Sequence, residues 1–241
     1  STNFAVTAPL TGSGGFDGNY GDYMIGNSGS YLLELADIEG GGDNTRISYF
    51  TPEIGGFQGG IGYATSEDEG KGGGDHRIGG VGDIFDIGAN YTADVGGFNV
   101  VIGGGYITGS GEDDGDDLTG YHLGANVGFG GFTVGGAYVA ATDHPDAVID
   151  EEETWQAGVT YEFGAWTIGA NAAFDTRELT TGDDVDTDIY AVGGDYAVAP
   201  GLSVYADLMF VDADGGFVDS DGDAVVDNEA TVFVVGTSVA F

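Results

Sequence analysis

Cysteine is absent from the 241 residues, so neither a disulfide framework nor a thiolate metal centre can form. That absence suits an exported protein. Basic residues are nearly absent too: Arg46, Lys71, Arg77 and Arg177 stand against 41 acidic residues, for a net charge of −37. Nucleic acid is thereby excluded as a partner, because phosphate recognition needs a basic footprint. Proline occurs only 4 times, and the 49 glycines follow no G-X-Y period, which excludes a collagen-like chain. No apolar run approaches the ~18 residues that a transmembrane helix requires. No leader pattern stands ahead of Ser1, so the chain is expected to be a mature or shortened form.

What is present argues for an ordered β protein. Aromatic residues make up 12 %, too many for a disordered acidic chain. A surface so acidic attracts cations and repels anions, and it is also compatible with a saline habitat, where salt screens self-repulsion.

One unit recurs five times. It appears as Ile54-Gly55-Gly56-Phe57, Val95-Gly96-Gly97-Phe98, Phe129-Gly130-Gly131-Phe132, Phe163-Gly164-Ala165-Trp166 and Val198-Ala199-Pro200-Gly201-Leu202. Glycine in a two-residue loop supplies the positive φ of a tight hairpin, so each unit predicts a short turn between antiparallel strands. Between the turns lie acidic segments at about 66–80, 109–117, 142–153, 177–187 and 212–228, which read as long loops. Short turns at one end and long loops at the other is the rhythm of an outer-membrane barrel.

The intervening segments alternate with period two. Along 155–163, Trp155, Ala157, Val159, Tyr161 and Phe163 share one face, and Gln156, Gly158, Thr160 and Glu162 the other. Along 121–129, Tyr121, Leu123, Ala125, Val127 and Phe129 oppose His122, Gly124, Asn126 and Gly128. Such strands average to near-zero hydropathy while still crossing a bilayer. Phe129, Phe132, Phe163 and Trp166 gather at the short turns, and Trp155, Phe174, Tyr190 and Phe210 at the far ends, as two aromatic girdles would. Frequent glycine on the opposite face predicts a roomy lumen rather than a packed core. Eleven strands are expected, at about 45–52, 57–65, 84–94, 97–108, 118–129, 131–141, 154–163, 165–174, 187–198, 201–211 and 230–241. The fold class is therefore all-β, an antiparallel up-and-down transmembrane barrel. The last segment, with Phe233, Val235, Thr237, Val239 and Phe241 on one face, ends on an aromatic residue, similar to the terminal signature of outer-membrane barrels.

Residues 27–58 carry Asn27-Ser28-Gly29-Ser30-Tyr31-Leu32-Leu33, then Asp43-Asn44-Thr45-Arg46-Ile47-Ser48-Tyr49-Phe50-Thr51-Pro52, then Gly56-Phe57-Gln58. This stretch resembles the general-diffusion porins of alphaproteobacteria. The resemblance implies a sixteen-stranded, trimeric, outer-membrane channel of a Gram-negative bacterium. It further implies five strands ahead of an inward-folded constriction loop, in whose place residues 1–43 would stand. Residues 44–241 would then be barrel wall, with short periplasmic turns and long acidic extracellular loops. With eleven strands after the loop and none before it, the chain looks like a porin lacking its first third. A second arrangement takes Ser30–Ile38 as a twelfth strand closing a smaller barrel.

The expected function is passive, cation-preferring diffusion of small hydrophilic solutes, without catalysis. Constriction acids would be Asp17, Asp22, Glu34, Asp37, Glu39 and Asp43; wall acids would be Asp86, Glu162, Asp195 and Asp207. Carboxylates lining a pore select cations. Arg46 is the expected opposing charge, and His122 is expected to line the lumen. No cofactor is required, but Ca²⁺ is a candidate at Asp219, Asp221, Asp223, Asp227 and Glu229, whose spacing lets one loop wrap oxygens around a hard cation. The alternative is an acidic, calcium-binding β protein, soluble or on the cell surface, of adhesin type.

Overall fold

A computed structural model of the chain describes residues 46–66, 81–111, 116–143, 149–218 and 224–239. The described residues form one antiparallel sheet of eleven strands in strict sequence order. The strands are β1 (Arg46–Phe50), β2 (Phe57–Ser66), β3 (Val81–Val95), β4 (Phe98–Gly111), β5 (Leu118–Phe129) and β6 (Phe132–Asp143). They continue as β7 (Ile149–Phe163), β8 (Trp166–Leu179), β9 (Asp184–Ala199), β10 (Leu202–Val218) and β11 (Ala224–Val239). Each strand pairs with the next, the meander of an up-and-down barrel wall. Among the described residues β1 has β2, and β11 has β10, as its single neighbour.

The five glycine units are the five short turns. Between β5 and β6 the chain reverses over Gly130 and Gly131, with φ of 57° and 85°. Positive φ at both central positions is the twist-matched hairpin geometry that only small, permissive residues enter cheaply. The register closes accordingly, with Phe129 opposite Phe132.

At the other end the acidic segments are shorter as loops than their composition predicts. β8 runs on to Leu179 and β9 begins at Asp184, so the expected 177–187 loop contracts to four residues. Glu151–Glu153 belong to β7, and Asp212 and Asp214 to β10. Asp227 and Glu229, expected in a loop, lie in β11, where the register sets them opposite Asp214 and Asp212. The physical reason is pairing: once a hairpin is in register, continuing the ladder satisfies backbone groups whatever the side chains are. β10 has 17 residues, or about 58 Å at ~3.4 Å per residue. Even tilted by ~40°, a strand of that length overshoots an apolar band ~25 Å tall.

The two faces differ as the alternation predicts. Trp155, Val159 and Phe163 are exposed on one face of β7, and Trp166 and Ile168 on the same face of β8. The aromatic rings on this outer face meet across strands. Near the short turns, Phe98 lies 4.7 Å from Phe129, Phe132 4.2 Å from Tyr161, and Trp166 4.7 Å from Tyr196. Towards the far end, Tyr121, Tyr138 and Trp155 form a chain with spacings of 5.9 and 4.4 Å, and Phe174 meets Tyr190 at 5.8 Å. These are the two girdles.

The inner face is less uniformly open than its glycine content implies. Two apolar patches are buried on it: Ala64, Val81, Ile84, Ile107 and Leu118 on β2–β5, and Ile189, Ala191, Met209, Val211, Ala213 and Val232 on β9–β11. Both sit towards the far ends of their strands.

Candidate functional site

The inner wall carries the chemistry. Its rows follow from the register. Near the short turns, Glu162 of β7 stands opposite Thr167 of β8, which stands opposite Asp195 of β9, which stands opposite Tyr205 of β10. One row further, Asp207 faces Gly193 and Gly193 faces Gly169. Higher still, His122 faces Gly105, with Gly88 and Gly60 beyond it.

The wall residues expected from sequence are therefore on one face, but most are covered. Asp86, His122, Asp195 and Asp207 are all buried, whereas Glu162 at the rim is exposed. A specific arrangement accounts for part of this. The three heavy atoms nearest to a Cβ placed on Gly62 all belong to the Asp86 carboxyl group. A Cβ on Gly105 would meet the His122 ring, on Gly135 the Asn126 amide, on Gly193 the Asp207 carboxylate, and on Gly236 the Tyr205 ring. In every case the glycine is the register partner of the polar residue. The polar side chains thus lie sideways over glycine instead of standing out from the wall.

Arg46 and Arg177 are the two basic residues among the described ones, and each is matched with acid on the wall. Arg46 Nη1 lies 3.7 Å from Asp86 Oδ2. Arg46 thus has an acid beside it on the same wall. Arg177 donates from Nε and Nη2 to Glu152 Oε1 at 3.0 and 2.9 Å, and its Nε lies 3.3 Å from Asp175 Oδ2. Thr154 Oγ1 donates to Asp175 Oδ1 at 2.7 Å. This cluster was not expected, because its position was read as loop. The signal lay in the period: Glu152, Thr154 and Gln156, and likewise Ala173, Asp175 and Arg177, continue the inner face of their strands two by two.

Asp17, Asp22, Glu34, Asp37, Glu39 and Asp43 lie outside the described residues, as do Asp219, Asp221 and Asp223 and the terminal Phe241. Among the described residues no three His, Cys, Asp or Glu side chains converge as a metal site.

The sequence model of the Gram-negative porin matches residues 2–216. The chain belongs to the Gram-negative porin family. It is accordingly a protein of the Gram-negative outer membrane, and its sheet is porin wall. Solved porin structures are similar in fold. The anion-selective porin from Comamonas acidovorans aligns with a TM-score of 0.56 at 19% identity, over 82% of this chain and 60% of that one. OmpT of Vibrio cholerae aligns with a TM-score of 0.60 at 17% identity, over 91% and 73%. OmpF of Salmonella typhi, solved with daunomycin, gives 0.56 at 13%, over 80% and 61%. The chain thus spans about 60% of the length of the Comamonas acidovorans porin. No curated protein matches it.

Proposed function

We propose that this porin forms a water-filled channel through which small hydrophilic solutes diffuse unchanged, with cations preferred over anions. One observation carries the reading: the wall has an aromatic and aliphatic face towards lipid and a glycine-, polar- and acid-bearing face on the other side, on which both described arginines are already matched by carboxylates. The same face also holds Glu162, Asp195 and Asp207, so its acids outnumber the two described arginines. A pore edged by carboxylates favours cations. The fold does not decide the sign, since the similar Comamonas acidovorans protein is described as anion-selective. The lining does.

The reading places the short turns on the periplasmic side and the acidic strand ends outside, and it assigns no covalent step to the wall. It also includes a homotrimer. The resemblance to general-diffusion porins suggests that assembly, and an apolar dent of about 560 Å³ on the sheet, where Gly59, Ala89 and Gly104 lie between Tyr49, Phe57 and Tyr106, is a place for its contact. Small residues there permit the close backbone approach of another protein surface.

Vesicle swelling tests the channel. Protein purified from outer membranes and reconstituted into liposomes is expected to admit small neutral sugars at rates that fall with sugar size. Impermeable vesicles that contain folded protein would refute it.

A further inference from the structure

Arg46 is on β1 and Asp86 on β3, so strand β2 lies between them. Two strand spacings amount to about 9.6 Å. Their charged atoms nevertheless approach to 3.7 Å. On β2 the inner-face register partners of these residues are Ala64, opposite Arg46, and Gly62, opposite Asp86. The Asp86 carboxyl group occupies the space that a side chain at position 62 would fill. Gly62 is not among the residues of positive φ, unlike the hairpin glycines. The backbone does not need glycine there, and glycine inside a strand is ordinarily unfavourable. What the position does need is empty space.

We propose that Gly62 is a positioning residue of the pore wall: its bare inner side is a seat that lets Asp86 lean across β2 towards Arg46, and that holds the pair flat, out of the solute path. Gly105 under His122, Gly135 under Asn126, Gly193 under Asp207 and Gly236 under Tyr205 repeat the device. Covering of a glycine by a cross-strand aromatic ring, as Tyr205 covers Gly236, is a known stabilising arrangement in sheets. Here it also sets pore width and the exposure of charge, which depends on reading the inner face as the solute path. In this way a wall rich in polar residues keeps its lumen wide.

The absence of native cysteine makes the test direct. Asp86→Cys, in protein reconstituted from outer membranes, is expected to react slowly with a water-soluble methanethiosulfonate. Adding Gly62→Ala lifts the side chain off the wall, and labelling becomes several-fold faster. Gly128→Ala is the control, because a Cβ there meets only ordinary contacts, the nearest at 3.6 Å to Asn99. It leaves the rate at position 86 unchanged. Equal rates with and without Gly62→Ala overturn the proposal, and so does an equal acceleration by Gly128→Ala. Should Gly62→Ala fail to fold, Asp207→Cys with and without Gly193→Ala decides by the same criterion, because the Asp207 Cγ, whose place a cysteine Sγ takes, is among the atoms that a Cβ on Gly193 would meet. The labelling does not depend on current: a protein that labels as expected but conducts nothing would undo the channel reading and leave the seats in place.

Discussion

The guanidinium of Arg177 is clasped by Glu152 at 2.9 Å, across the β7–β8 pair, and the same group neutralises Asp175 two residues before it on β8. Asp175 is only 2% exposed, so its carboxylate depends on that neighbour and on Thr154. Arg177→Met leaves two carboxylates side by side on a covered wall. Breaking a buried ion pair by removing one partner costs up to about 3–5 kcal/mol, less what Asp175 recovers by taking up a proton. The urea midpoint of the reconstituted protein is therefore expected to fall markedly, and Asp175→Asn in the same background to restore part of the loss. An unchanged midpoint for Arg177→Met would mean that the cluster contributes nothing to stability.

The assignment of faces makes a paired prediction. Val159 lies on the outer face of β7, between the two girdles. Asn171 lies on the inner face of β8, opposite Gly158. Arginine at a lipid-facing position near the middle of a membrane costs about 2–4 kcal/mol. Val159→Arg is expected to lower the unfolding free energy in lipid vesicles by that order, and Asn171→Arg by much less. Equal penalties would show that the faces are misassigned.

All eleven strands and five short turns were legible in the sequence because period-two alternation and paired glycines follow directly from pleat and hairpin geometry. The far strand ends were not, because there both faces turn polar and the alternation loses its contrast. Asp184 and Asp186 look like loop residues, yet β9 begins with them. Arg177 was missed for the same reason. That the candidate wall acids share one face of the sheet was legible, since face is a matter of parity. Their burial was not legible, because it depends on which residue the register sets opposite each one, and glycine seats appear only once strands are paired.

Those acidic ends oppose one another. Asp188, Asp212 and Glu229 form one row across β9, β10 and β11, and the register sets Asp186, Asp214 and Asp227 in the next. Like charges directly opposite in a sheet are destabilising. Raising NaCl from ~0.1 to ~1 M shortens the screening length from ~10 to ~3 Å. Stability is expected to rise with salt, and the rise to be smaller in Asp212→Asn/Asp214→Asn. Calcium chloride at matched ionic strength extends the test to the Asp219–Glu229 segment: added protection beyond that of NaCl indicates binding, and identical protection indicates screening alone. A salt response that is the same in the variant would place the repulsion elsewhere.

The most direct measurement of the channel and its sign is the zero-current potential of the protein in a planar bilayer under a KCl gradient. The wall described above predicts a potential of the sign that reports K⁺ crossing more readily than Cl⁻, with the preference weakening as salt is raised. A potential of the opposite sign, reporting Cl⁻ as the preferred ion, would contradict it.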